Sequence, residues 1–407
     1  GHFSLCVMDV RANRTVAAMN EEVSLTPAST LKAMTTATAL AVLGEEYRFA
    51  TFLEYDGELL ADGTLQGNLY IRGTGDPTLG SPFMEGTASF EELLNIWQQA
   101  VLDAGIRRVE GAVIGDAGYL EDDVLARDWE WQDIGNYYAC GAWGLNIHEN
   151  LYYLYFQQNT RIGGATSVHS IVPEVPGLEV INEVVSGSPS SGDNAYIFGA
   201  PYTFLRHVRG SIPAGRSLFS IKGSMPEPPL LVAQHFHRAL RGCGIEVSGP
   251  ATTLRQEEGR PASEERKALY VHYSPPLREI IRRANHKSVN LYCELLLRMI
   301  GKKQSGRGSA SAGIAAIKAF WSERGLPMEG LFLKDGSGLS RSNGISTRQL
   351  ALMLAKTGRD PGLFTPFLAS LPVAGQSGTL KGMLQGTAAS GQEIGRASCR
   401  ERVCHRV

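Results

Sequence analysis

The stretch Leu25-Thr-Pro-Ala-Ser-Thr-Leu-Lys32, with the run Ala33–Leu43 behind it, decides how this chain is read. The run is rich in Ala, Leu and Met and ends on Gly44, which predicts a buried helix with a glycine stop. Pro27 sits just before its first turn, where proline is tolerated. A helix opening at Ser29 puts Ser29 and Lys32 on one face, because positions i and i+3 are neighbours. Serine needs a base to become a nucleophile, and a lysine in a partly dry site can supply one. The unpaired N–H groups of a helix start also favour an oxyanion. Of the ten lysines, only Lys32 has a serine three positions before it. For a lone Ser-x-x-Lys, however, a helix cap is the commoner explanation.

Upstream of this stretch, Phe3–Val10 alternates, Arg11-Ala-Asn-Arg14 turns and Thr15–Met19 returns, which predicts a hairpin. Downstream, from about Arg48 to Leu254, short β-like runs such as Phe49–Tyr55, Thr64–Ile71 and Gly111–Gly115 alternate with glycine turns. One helix, Ser89–Ala104, interrupts them. Residues 255–266 are polar and read as a linker. Helical patterns resume at Pro276–Ala284, Val289–Ile300, Ser309–Arg324 and Thr347–Thr357. The expected organisation is a split domain of residues 1–48 and 263–392, with a β-rich insertion at 49–262 that forms two subdomains. At 407 residues, 43% hydrophobic and 20% charged, the chain can bury full cores. A net charge of -2 gives no sign of a nucleic-acid partner. The six cysteines form no Cys-x-x-Cys pair, so lone buried thiols are expected and a metal site is not.

A second candidate is Ser288-Val-Asn290, in the turn between two helical patterns. A hydroxyl and a carboxamide two apart can face one cleft. Ser288 could shuttle a proton, and Asn290 could hold a substrate amide or orient Lys32. His286 and Lys287 read as solvated turn residues. Taken with Ser29-x-x-Lys32, this turn has the layout of penicillin-binding proteins and serine β-lactamases. Gly73-Thr-Gly-Asp-Pro-Thr-Leu79, Asp335-Gly-Ser-Gly-Leu-Ser-Arg341 and Leu371-Pro-Val-Ala-Gly375 sharpen the likeness. Over residues 3–392 the chain resembles the class C low-molecular-weight penicillin-binding proteins, the DacB or peptidase S13 family of D-alanyl-D-alanine carboxypeptidases/endopeptidases. One departure is Val289, where the family often has Asp or Asn. In their own right, Asp335 and Arg341 read as braces of a tight loop, and the Gly73–Gly80 loop reads the same way.

The resemblance implies an α/β (α+β) fold: a transpeptidase-like domain with helices on a central antiparallel sheet, plus the insertion. It implies a serine-type carboxypeptidase acting on peptidoglycan stem peptides, with cross-link cleavage as a second activity. Ser29 would form the acyl-enzyme, Lys32 and Ser288 would move protons, and β-lactams would inhibit as mimics. No cofactor is implied. The implied location is the periplasm or cell envelope, at most peripheral to the membrane. Two rivals stand beside this reading. A β-lactamase or esterase would need a deacylating base, which the sequence does not reveal; a non-catalytic peptidoglycan-binding scaffold would need none.

The family's third element is a Lys-Thr-Gly strand. Lys356-Thr-Gly358 does not fit it, because it ends the amphipathic pattern from Thr347 and is followed by Asp360-Pro361. The motif belongs beyond Gln392, where residues 393–407 resemble a translated sequencing adapter. On this reading native sequence ends near Gln392, and the Lys-Thr-Gly strand with its oxyanion donor is missing. Loss of one such donor costs roughly 10²–10³ in turnover. A purified chain of residues 1–407 is therefore expected to be nearly inactive. Release of D-alanine from D-Ala-D-Ala peptides at an ordinary enzymatic rate would refute this.

Overall fold

The run after Lys32 carries no charge as far as Leu43, and it is buried without interruption from Met34 to Leu40. Its threonines do not oppose this burial. Thr36 and Thr38 return their hydroxyls to the carbonyls of Lys32 (2.8 Å) and Met34 (2.7 Å), and so satisfy their polarity within the helix. A computed structural model describes residues 3–257, 265–383, 385, 386 and 390. In chain order its helices are α1 (Lys32–Leu43), α2 (Phe90–Asp103), α3 (Trp131–Ile134), α4 (Pro228–Gly242), α5 (Leu277–Lys287), α6 (Asn290–Ser305), α7 (Ala310–Glu323), α8 (Thr347–Arg359) and α9 (Pro361–Ala369).

The chain divides into two units. The first holds the described residues up to Arg48, Ala126–Asp128 and those from Pro275 onward. Here α1 packs against α5, α6 and α9. The first N–H groups of α5 are satisfied by the segment behind α1: Leu277 donates to the Tyr47 carbonyl (2.8 Å) and Arg278 to that of Glu45 (3.0 Å). α6 and α7 approach closely at Gly313, where a Cβ would fall 2.1 Å from the Leu297 carbonyl oxygen; any side chain there would push the helices apart. Antiparallel strands β1 (Leu5–Asp9) and β2 (Arg14–Met19) form the hairpin. Asp9 closes its turn by accepting from the N–H groups of Arg11 and Ala12, each at 2.9 Å. Phe3, Val16 and Met19 on this hairpin are more than half exposed.

The second unit comprises Phe49–Leu125 and Trp129–Ser274. Its largest sheet has five strands in the order Ala251–Thr253, Val113–Asp116, Leu69–Gly73, Ala50–Tyr55 and Lys267–Tyr273. The first three run parallel and the last two pair antiparallel. Helices α2 and α4 meet through Trp97 and Phe236, edge to face at 5.7 Å. Three smaller sheets complete the unit.

Several boundaries differ from the sequence reading. Thr64–Ile71 is two strands, Thr64–Gln66 and Leu69–Gly73. Of the stretch 263–274 given to the split domain, the described residues 265–274 do not join it: Lys267–Tyr273 pairs with Ala50–Tyr55 and belongs to the second unit. The polar linker is anchored at both described ends, by Arg255 on Glu227 (3.0 Å) and Arg266 on Asp116 (2.6 Å). α4 went unread because Pro228-Pro229 looks like a breaker, whereas both prolines occupy the first turn and need no N–H partner. Cys140 and Cys293 are buried, but Cys6 is partly buried and Cys243 exposed. Cys399 and Cys404, like all of residues 393–407, lie outside the described residues.

The glycine-rich loop of the second unit holds a buried carboxyl. Asp76 Oδ1 accepts from the Thr78 N–H (2.7 Å) and hydroxyl (2.6 Å), while Oδ2 has no partner. Burial pushes its pKa up to about 6, against the two Thr78 bonds. A pKa raised in the fold means that stability is fully present below the unfolded value, near 3.8, and is lost as pH rises through about 6. The loss corresponds to about 3 kcal/mol at 1.36 kcal/mol per unit. Asp76→Asn should remove it. Urea unfolding at pH 4.5 and 7.5 should show the stability of the wild type falling relative to the variant by about 2 kcal/mol, since part of the loss has already occurred by pH 4.5; parallel behaviour would refute the assignment.

Candidate active site

The segment leading into α1 is not a simple helix start. Ala28–Leu31 forms one 3₁₀ turn and the α-helix begins at Lys32. The cap positions are Pro27 and Leu31, neither with a side-chain cap bond, so Ser29 does not occupy the cap suggested by its residue type. Ala28 has φ +46°, a left-handed conformation that costs a non-glycine residue roughly 1–2 kcal/mol. Such strain persists where the surroundings over-determine it. Here the loop Asp335–Arg341 does so: a Cβ on Gly338 would lie 1.9 Å from the Ala28 carbonyl oxygen, and Gly338 itself has φ +83°. Leu25 and Ile345 exchange two backbone hydrogen bonds beside this contact (3.1 and 3.0 Å).

Ser29 and Lys32 are both buried. Lys32 Nζ donates to Ser29 Oγ (3.0 Å), Asn290 Oδ1 (2.6 Å) and the Ser337 carbonyl (2.6 Å). Three oxygens thus surround Nζ, and one of them belongs to a hydroxyl that can itself donate. Lys32 makes no salt bridge among the described residues. Asn290 opens α6, buried, one residue after the turn. Ser288 stands at the C-cap of α5 in the left-handed region (φ +57°), half-buried, with its N–H on the Ala284 carbonyl. The structure therefore brings Ser29, Lys32 and Asn290 into one hydrogen-bonded group, with Ser288 two residues away in the chain.

Other candidates fall out differently. His286 and Lys287 are not turn residues, because α5 continues through both. His286 Nε2 lies 3.1 Å from the Leu371 carbonyl oxygen, and burial lowers its pKa. Lys356-Thr-Gly358 lies in the last turns of α8, with the Thr357 hydroxyl on the Met353 carbonyl (3.0 Å). The place expected for a Lys-Thr-Gly strand, beyond Gln392, lies outside the described residues. Asp335 is buried and accepts from Gly338 N–H (2.8 Å), Ser340 N–H (2.6 Å) and Asn343 Nδ2 (2.8 Å). It braces the loop from inside.

Two participants escaped the sequence reading. Ser337 contributes a carbonyl, which no residue type advertises. Glu294 is a buried carboxyl one turn after Asn290, accepting from the Gly336 and Ser337 N–H groups. Its signal was a charge inside the otherwise apolar run Leu291–Leu297. Burial first, and the nearby Asp335 second, hold its pKa above the usual carboxylate range.

Comparison with known proteins gives the family and the fold. Residues 2–396 match the family model described as the D-Ala-D-Ala carboxypeptidase 3 (S13) family. A D-alanyl-D-alanine carboxypeptidase from an Actinomadura species is 30% identical over 386 residues, covering 90% of this chain and 67% of that protein. The D-alanyl-D-alanine carboxypeptidase DacB of Haemophilus influenzae is 23% identical over 376 residues, covering 92% and 74%. The crystal structure of penicillin binding protein 4 from Haemophilus influenzae superposes with a TM-score of 0.81 at 22% identity, over 95% of this chain and 83% of that one. The fold is that of a penicillin-binding protein, and the chain belongs to the D-Ala-D-Ala carboxypeptidase 3 (S13) family of serine hydrolases.

Proposed function

We propose that Ser29, Lys32, Ser288 and Asn290 carry the serine-type D-Ala-D-Ala carboxypeptidase reaction of the family in this chain. The observation that supports this most is Lys32 Nζ, held at once against Ser29 Oγ and Asn290 Oδ1. A nucleophile and its base within hydrogen-bond reach, with the base oriented by a third group, is the general pattern of an activated hydroxyl.

In this reading Lys32 reacts as the neutral amine: Ser29 Oγ attacks the carbonyl of the penultimate D-Ala, and the lone pair of Lys32 Nζ takes the proton that Oγ gives up. The peptide bond breaks, the departing D-Ala amine takes a proton through Ser288, and an ester remains on Ser29. Water then hydrolyses the ester with the same groups reversing their roles. A β-lactam enters the same path: its strained amide opens on Ser29 and leaves a penicilloyl ester. That a solved Haemophilus influenzae relative was captured with a β-lactam bound is in keeping with this. Cleavage of D-Ala–diaminopimelate cross-links would need no further chemistry, since the scissile bond again follows a D-Ala carbonyl. The substrate, peptidoglycan stem peptide, puts the site of action in the periplasm or cell envelope. No described helix is long and apolar enough to cross a membrane.

The test is labelling of the full-length protein with a fluorescent penicillin, beside release of D-alanine from a D-Ala-D-Ala peptide. Ser29→Ala should abolish both. Asn290→Ala removes one of the three oxygens around a buried Nζ, a loss of about 1–3 kcal/mol, and should slow labelling roughly 5- to 150-fold. Undiminished labelling of Ser29→Ala would dismiss Ser29 as the nucleophile.

A further inference from the structure

Two consecutive peptide units stand between α1 and α6, and each is held at both ends. The unit joining Gly336 and Ser337 gives its N–H to Glu294 Oε1 (2.9 Å) and takes the Thr35 hydroxyl on its carbonyl (2.7 Å). The unit joining Ser337 and Gly338 gives its N–H to Asp335 Oδ1 (2.8 Å) and offers its carbonyl to Lys32 Nζ (2.6 Å). A trans peptide is planar, with N–H and C=O pointing in opposite directions. A carboxylate fixing the N–H therefore also aims the carbonyl. Glu294 further accepts from Gly336 N–H with both oxygens (3.1 and 3.3 Å).

We infer that the buried carboxyls Glu294 and Asp335 are positioning residues for Lys32: Asp335 aims the Ser337 carbonyl that holds Nζ beside Ser29, and Glu294 fixes the peptide unit before it. Neither touches Lys32; they act through the backbone between them. A loop brace could be built from apolar packing at less cost, since burying a carboxyl is expensive unless its hydrogen bonds are made. Here two carboxyls lie close enough to oppose each other's charge, and they hold two successive peptide units, one with its carbonyl on Lys32 and the other fastened to Thr35 on the same helix. Glu294 is also carried on the helix that supplies Asn290, one turn along the same face. α6 thus sets two of the three acceptors of Lys32, one directly and one through the loop.

This inference rests on the reading of Ser29 as nucleophile and Lys32 as its proton acceptor. The experiment is saturable labelling of the full-length protein by a fluorescent penicillin, resolved into a dissociation constant and a maximal acylation rate. Melting curves confirm folding, and Ser29→Ala is the control. Glu294→Gln keeps the shape but turns an amide NH₂ toward the Gly336 N–H. It should lower the acylation rate at least 10-fold and leave the dissociation constant within about twofold. Asp335→Asn should do the same. A folded Glu294→Gln with the wild-type acylation rate, or one that weakens binding without slowing acylation, overturns the inference. If Glu294→Gln does not fold, Glu294→Asp is read by the same two constants: the same split supports the inference, and wild-type values overturn it. Labelling that survives Ser29→Ala instead strikes the underlying reading of the site.

Discussion

A buried lysine is the constraint around which the first unit is arranged. Lys32 is fully enclosed, and an enclosed polar group is costly unless its hydrogen bonds are made. No local segment can make them all. The acceptors come from Ser29 within the same turn, from Asn290 on α6 and from Ser337 in a distant loop. Closing this triad requires α1 to meet α6 in one register and the 335–341 loop to lie across both. The many buried contacts between α1, α6 and α7, and the close approach at Gly313, keep that register fixed. The cost of enclosing the polar group is thus offset by the packing of the helices that carry its partners.

The strain at the site follows from the same arrangement. Ala28 and Ser288 both adopt left-handed backbone; Ala28 immediately precedes Ser29, and Ser288 is itself one of the candidate residues. Neither is the glycine that would adopt this conformation freely. Ala28 is held by the Gly338 contact, and Ser288 by the need to end α5 and start α6 within three residues. A tight turn between two buried helices brings the start of α6, and hence Asn290, up to Lys32.

Much of this was legible in the sequence because it depends on local chemistry. The buried helix after Lys32, the spacing of Ser29 and Lys32 and the Ser288–Asn290 turn all follow from periodicity and residue type. The hairpin and the helices α6 to α8 emerged within a few residues of their observed ends. What stayed hidden depends on backbone or on long-range pairing. Ser337 acts through a carbonyl that every residue possesses. Lys267–Tyr273 belongs to the second unit because of its partner strand, not its composition. α4 was concealed by prolines whose position within the helix decides their meaning. Asp335 was read as a brace from glycine density alone, and its bonds to the loop backbone are those of a brace. What the sequence could not disclose is that the braced peptide is the one Lys32 leans on.

The departure at Val289 can be placed physically. Val289 is the N-cap of α6, with extended backbone, half-buried, and it makes no side-chain cap bond. The residues the family often carries there, Asp and Asn, are among the best N-caps and valine among the poorest. The substitution therefore gives up a cap on the first turn of α6, worth about 1 kcal/mol, and leaves the reacting groups alone. That loss falls on a helix whose residues are buried from Asn290 to Gly301. Tertiary burial on this scale outweighs a single cap, since the helix draws most of its stability from packing. The position of Asn290 is thus secured by the body of α6 and by Glu294 one turn on, and the middle residue of the motif is free to vary with the capping of the helix.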